Sequence, residues 1–169
     1  LSTWGAPPID LPFILGVAVT TDVVMAQAAV NALSASGGGD GPESGVEALY
    51  QLATGAGVMW PGGMVPAQAI GWRPGALPII VQVSDANVHD LADYAGMVPG
   101  AASRDGTKAA LMAIGAKVIG VASQGGDFAG AQAALLDFVN ATGTTVPPDA
   151  FGAGGKCLTG LSGAAVAPV

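Results

Sequence analysis

The sequence predicts an α/β fold, a doubly wound, mostly parallel sheet with helices on both faces. Two observations carry this. Apolar runs alternate along the chain with stretches of helical period, the order that sets parallel strands side by side with crossover helices between them. The strongest of those runs, residues 77–84 (LPIIVQVS), is almost wholly apolar and β-branched, as expected of a central strand buried on both faces.

The elements follow in order. Residues 1–12 hold three prolines and read as an extended loop. Residues 13–19 (FILGVAV) form a short apolar run, a candidate strand weakened by Gly16. Thr21 and Asp22 supply side-chain oxygens that can cap a helix start. The helix that follows carries Val23, Ala26, Val30 and Leu33 as an apolar stripe. A glycine-rich loop, residues 37–42, separates it from a second amphipathic helix with Val46, Leu49, Tyr50 and Ala53 on one face. Gly55 and Gly57 are suitable stops.

Residues 57–76 show no period and are expected to form a long loop, with Trp60 and Trp72 as packing anchors. After the strand at 77–84 come a helix over 105–115, a second buried strand over 117–123 and a helix over 127–142. That last helix places Ala131, Ala134, Leu135, Phe138 and Val139 on one face, and Gly143 stops it. Residues 1–146 are therefore expected to form the domain, and 147–169 a Gly/Ala-rich tail. In open sheets of this kind the binding site lies at the carboxyl ends of the strands, which here is Ser84-Asp85.

Composition narrows the function classes. The chain is 51% apolar and 10% charged, too hydrophobic and too weakly charged for a disordered protein. The net charge is −7, and the five basic residues are scattered singly, so nucleic acid is not an expected partner. Cys157 is the lone cysteine, which excludes an internal disulfide and a four-cysteine zinc site. Every apolar stretch is broken well before the ~20 residues needed to span a bilayer, so no membrane insertion is expected. Asn140-Ala141-Thr142 fits the glycosylation sequon, meaningful only on a eukaryotic secretory route.

Three acidic residues form a candidate metal site. Asp40 and Glu43 lie three apart on a glycine-rich loop at a helix start, and Asp85 follows a buried strand. If the fold brings that loop beside that strand end, three carboxylates converge and a hard divalent cation would relieve their repulsion. Taken singly, each has a plainer role. Asp40 suits a turn, Glu43 a helix N-terminus, and Asp85 the cap of the following turn. His89 is expected to be structural, and Asp90 with Asp93 to form a solvated turn.

Two segments carry a family resemblance. Gly39-Asp40-Gly41-Pro42-Glu43-Ser44-Gly45-Val46-Glu47-Ala48 resembles the Asp-x-Pro-Glu-Gly-Gly-x-Asp-Ala segment of integrin β subunits. Gly71-Trp72-Arg73, followed by residues 79–89 (IIVQVSDANVH), resembles their Gly-Trp-Arg segment and the strand ending Thr-Asp-Ala-x-x-His. Order and separation match as well, over roughly residues 20–143. The chain thus resembles a von Willebrand factor A-type domain of the integrin β kind.

That resemblance implies a cation-dependent protein-binding or adhesion module, secreted or at the cell surface, and not an enzyme. Its ion would be Mg²⁺, or Mn²⁺ or Ca²⁺, and its partner a protein presenting a carboxylate. The residue matching Glu43 ligates the adhesion metal, and the one matching Asp85 supports it directly or through water. The residue matching Asp40, the Pro42 carbonyl and Glu43 belong to a neighbouring stabilising site.

The family's first metal motif, Asp-x-Ser-x-Ser, is absent here. The chain is accordingly expected to be a fragment that lacks the first two strands of the A-domain sheet and, alone, to bind a cation weakly or not at all. A metal-free structural or interaction module is the nearest alternative. A hydrolase is disfavoured, because Ser84, Asp85 and His89 on one strand end and loop cannot take the places of nucleophile, orienter and base. A nucleotide site is disfavoured because the loop at 37–45 bears Asp40 and Glu43 and lacks the P-loop lysine.

Overall fold

The structure is a computed structural model that describes residues 11–34, 40–61, 63–94, 96–124, 126–145 and the backbone of 167–168. It is a mixed α/β fold. Helix α1 (Val23–Asn31) starts where Asp22 Oδ1 accepts from the Val24 and Met25 N–H groups at 2.9 and 3.1 Å. Helix α2 (Gly45–Thr54) ends at Gly55, whose φ of 61° lets its N–H close on the Gln51 carbonyl. A side chain at Gly55 would strike the Gln68 carbonyl as well.

A hairpin follows, β1 (Val58–Trp60) antiparallel to β2 (Gly63–Val65), within the stretch expected to be loop. Strands of three residues are too short to show a period, which is why the sequence conceals them. Next come β3 (Ile79–Ser84), a 3-10 turn (Leu91–Tyr94), α3 (Arg104–Ala113), β4 (Lys117–Ala122) and α4 (Phe128–Ala141). Ser103 and Asp127 cap α3 and α4 through their side chains. Strands β3 and β4 pair in parallel from Ile79↔Lys117 to Ser84↔Ala122. Strand β5 (Ala167–Pro168) adds to β4 antiparallel, so two residues of the expected tail join the sheet. The expected boundary at 146/147 lies outside the described residues, as does Cys157.

Three expectations are corrected. Residues 13–19 form no strand. Val19 N–H bonds to the Ile70 carbonyl, but no ladder develops, and Phe13 packs inward as part of an irregular segment. Strand β3 is not buried on both faces, because Ile79, Val81 and Val83 are exposed by 55, 59 and 65%. Among the described residues, helices cover one face of the β3–β4 pair. Val46 and Leu49 of α2, Leu111 of α3 and Phe138 of α4 close over Ile80 and Val118. The apolar stripe of α1 does not face a core either, since Val23, Val30 and Leu33 are exposed and α1 buries none of its residues.

A second cluster gathers Phe13, Val58, Trp60, Val65, Tyr94 and Val98 around the hairpin. Trp72 packs against both clusters, its indole N–H donating to the Leu52 carbonyl at 2.8 Å. No helix among the described residues is long and apolar enough to cross a membrane.

Candidate functional site

The loop that follows β3 and the loop that precedes α2 meet at the carboxyl end of β3. Glu43 N–H donates to the Asn87 carbonyl at 2.7 Å, and His89 N–H donates to the Glu43 carbonyl at 2.8 Å. Glu43 and Val88 thus form a parallel bridge, a one-residue extension of strand pairing beyond the sheet. Gly45 permits this approach, because a Cβ there would lie 2.5 Å from Gln82 Nε2 and 2.7 Å from Val88 Cγ1. The buried Ser44 hydroxyl anchors the loop by donating to the Pro12 carbonyl at 2.7 Å.

The other wall is set by Ser84 and α4. Ser84 Oγ donates to the Ala86 carbonyl and turns the chain out of β3. The Asp85 carbonyl accepts from the N–H of Asp127, the N-cap of α4. The loop carrying Asp40, Pro42 and Glu43 is therefore brought beside the segment that follows Asp85. Asp40 and Asp85 are exposed, while Pro42 and Glu43 are half-buried.

The Asp40 carboxylate is turned to His89, with Oδ2 3.1 Å from Nε2. Asp93 Oδ2 lies 3.8 Å from the other ring nitrogen. His89 is buried and rests on Tyr94, ring centroids 5.5 Å apart, and Tyr94 meets Trp60 edge-on at 5.7 Å. Burial first, then the charges of Glu47, Asp93, Asp40 and Asp90, push the Tyr94 hydroxyl well above the ordinary tyrosine range.

Asp90 is no mere solvated turn residue. Its Oδ1 accepts from the Leu91 and Arg104 N–H groups, and its Oδ2 lies 3.6 Å from Arg104 Nε. Sequence reasoning also passed over Glu47, whose side chain is buried in the wall behind the site. Glu47 Oε2 accepts from Ala102 N–H and Oε1 from Gln51 Nε2, each at 2.7 Å. Burial raises its carboxyl above the usual value, against these two bonds, which lower it. The signals were present but weak. His89 precedes Asp93 by four, and Glu47 precedes Gln51 by four, a spacing that puts two side chains on one side of a helical turn.

The oxygen-only donor set of Asp40, Pro42, Glu43 and Asp85 suits a hard cation in kind. In number it falls short. Among the described residues no three His, Cys, Asp or Glu side chains gather to hold a metal ion, and Asp40 is engaged by His89. No known protein-family model, curated protein or solved structure matches the chain.

Proposed function

We propose that the chain is a protein-binding module of the A-domain kind, working by capture of a partner and not by turnover, at a cell surface or outside the cell. The observation that supports this most directly is the parallel bridge between Glu43 and Val88, which brings the Glu43 loop beside the end of β3. Open parallel sheets offer their binding surface at that end. Glu43 and Asp85 would supply carboxylates to Mg²⁺, Mn²⁺ or Ca²⁺, and Mg²⁺ needs only one or two of them beside water. A carboxylate of the partner protein would then complete the shell. Asp40 and the Pro42 carbonyl would belong to a neighbouring site, which requires Asp40 to leave His89.

A metal-free interaction module is the second proposal. It is favoured by the Asp40–His89 pair, which already answers one of the carboxylates. Mn²⁺ titration of the intact protein by calorimetry, wild type against Glu43→Ala and Asp85→Ala, separates the two. Cation dependence requires saturable binding by the wild type and at least a tenfold loss in each variant. Equal isotherms for wild type and variants, or no heat with the wild type, leave the metal-free module.

A further inference from the structure

We propose that Arg104 is a positioning residue of the binding surface, fixing the peptide unit that holds the Glu43 loop in place. The inference rests on the reading of that loop as the surface of capture. The peptide between Val88 and His89 is gripped on both sides. Its N–H, that of His89, donates to the Glu43 carbonyl at 2.8 Å. Its carbonyl, that of Val88, accepts from Arg104 Nη2 at 3.3 Å. In a planar trans peptide the N–H and C=O point in opposite directions. The Glu43 loop therefore lies on one side of the unit and the guanidinium on the other. A cationic donor on the carbonyl also polarises the amide and strengthens the bond that its N–H makes.

Arg104 is itself held from two elements. Its backbone N–H donates to Asp90 Oδ1 at 3.0 Å, and its Nε lies 3.6 Å from Asp90 Oδ2. Its Nη1 lies 3.7 Å from Asp137 Oδ2 of α4. Lys108, one turn further along α3, takes the other oxygen of Asp137 at 2.8 Å. The guanidinium thereby joins the loop after β3 to α3 and α4. Lysine is no equivalent here, because a single ammonium lacks the planar fork that reaches a carbonyl and two carboxylates at once.

Helix stability does not explain the residue. Arg104 is the first residue of α3, where the helix dipole favours acids and a cation has the wrong sign. Its side chain is 26% exposed, so solvent screens the ion pairs to Asp90 and Asp137 and they add little by themselves. What the position offers is reach to the carbonyl of Val88, the residue that bridges to Glu43.

The test compares Arg104→Gln with Asp137→Asn, which cuts the tie to α4 and leaves the Val88 contact alone. Amide exchange is followed on the intact protein before any cation is added. Arg104→Gln should speed exchange at His89 and Glu43, the amides that bridge the two loops, at least about tenfold. It should leave Lys117 and Ser123, whose amides join β4 to the β3 chain, unchanged. Asp137→Asn should leave all of these amides unchanged. If Arg104→Gln does not fold, Arg104→Lys serves in its place and should speed the bridging amides at least about threefold. Mn²⁺ calorimetry adds a readout that a merely structural tie would not move. There Arg104→Gln should weaken binding at least about threefold, with the stoichiometry kept. Bridging amides that exchange as in the wild type, that speed up together with Lys117 and Ser123, or that speed up equally in Asp137→Asn overturn the proposal. So does an unchanged Mn²⁺ affinity in Arg104→Gln beside a wild type that binds. A wild type that gives no heat with Mn²⁺ sinks the cation reading instead, and the bridging amides then decide on Arg104 alone.

Discussion

Glu47 shows how a single side chain can decide more than its position in a motif suggests. It is 1% exposed and closes two hydrogen bonds, to Gln51 and to Ala102, fifty-five residues away. Glu47→Ala strands the Ala102 N–H and the Gln51 amide inside the protein and should cost about 2–4 kcal/mol in urea denaturation. Its raised carboxyl pKa fixes the sign of a pH effect. The native state holds a proton on Glu47 at pH values where the unfolded chain has lost it. The stabilisation is therefore complete below the ordinary value of 4.5 and is lost as pH rises through the higher native value. Glu47→Gln cannot titrate, so denaturation midpoints of wild type and variant should diverge as pH rises above 4.5, with the wild type losing stability faster. Parallel profiles would show that Glu47 titrates normally. None of this was legible in the sequence, where Glu47 stands as an ordinary acidic residue in the first turn of a helix. What makes it unusual is Ala102, and nothing local announces a partner that distant. Asp22 is the contrary case, for its capping role depends only on residues two and three further on.

Elements were legible to the extent that their length exceeded their period. Helix α4 shows this best, because the five residues assigned to its inner face are the five it buries. Phe138, fully buried over Val118, should cost about 3–5 kcal/mol as Phe138→Ala by chemical denaturation. The hairpin β1–β2 was missed for want of length. Residues 13–19 were misread because an apolar run says nothing of hydrogen-bond partners, and of the seven only Phe13 is buried. Helix α1 was misread as well, since its apolar stripe is real but faces a groove beside β3 and not a core. The loop entering α2 depends on one absent atom, the Cβ of residue 45. Gly45→Ala should push Val88 and Gln82 outward and destabilise the protein by about 1–3 kcal/mol. It should also weaken protection of the Glu43 and His89 amides, which bridge the two loops, in hydrogen exchange.

At the scale of the whole molecule, alternation of strand and helix gave the mixed α/β class, and the described residues form a two-stranded antiparallel sheet and a three-stranded mixed one. Pairing partners are a property of distance in space, and β5 in particular lies within a Gly/Ala-rich stretch with no strand signal. The Asp40–Glu43 loop is bonded to the segment after Asp85, through Glu43 with Asn87 and His89, backbone partners that the sequence does not announce. The turn of Asp40 toward His89 was not foreseeable, since it depends on where Tyr94 seats the imidazole. The link from α2 to α3 also has a consequence for the order of assembly. Helix α2 is ten residues long, too short to persist alone in water. Its side of the bargain with Ala102 and with Thr107, whose hydroxyl donates to the Val46 carbonyl, is met only when α3 exists. On a growing polypeptide α2 must therefore wait for more than fifty later residues. During that interval Glu47 remains hydrated and ordinarily acidic, and the face of Ile80 stays bare. Burial of one carboxylate is thus a late event in folding, and slowing it lengthens the time for which the apolar strand is open to the wrong neighbour.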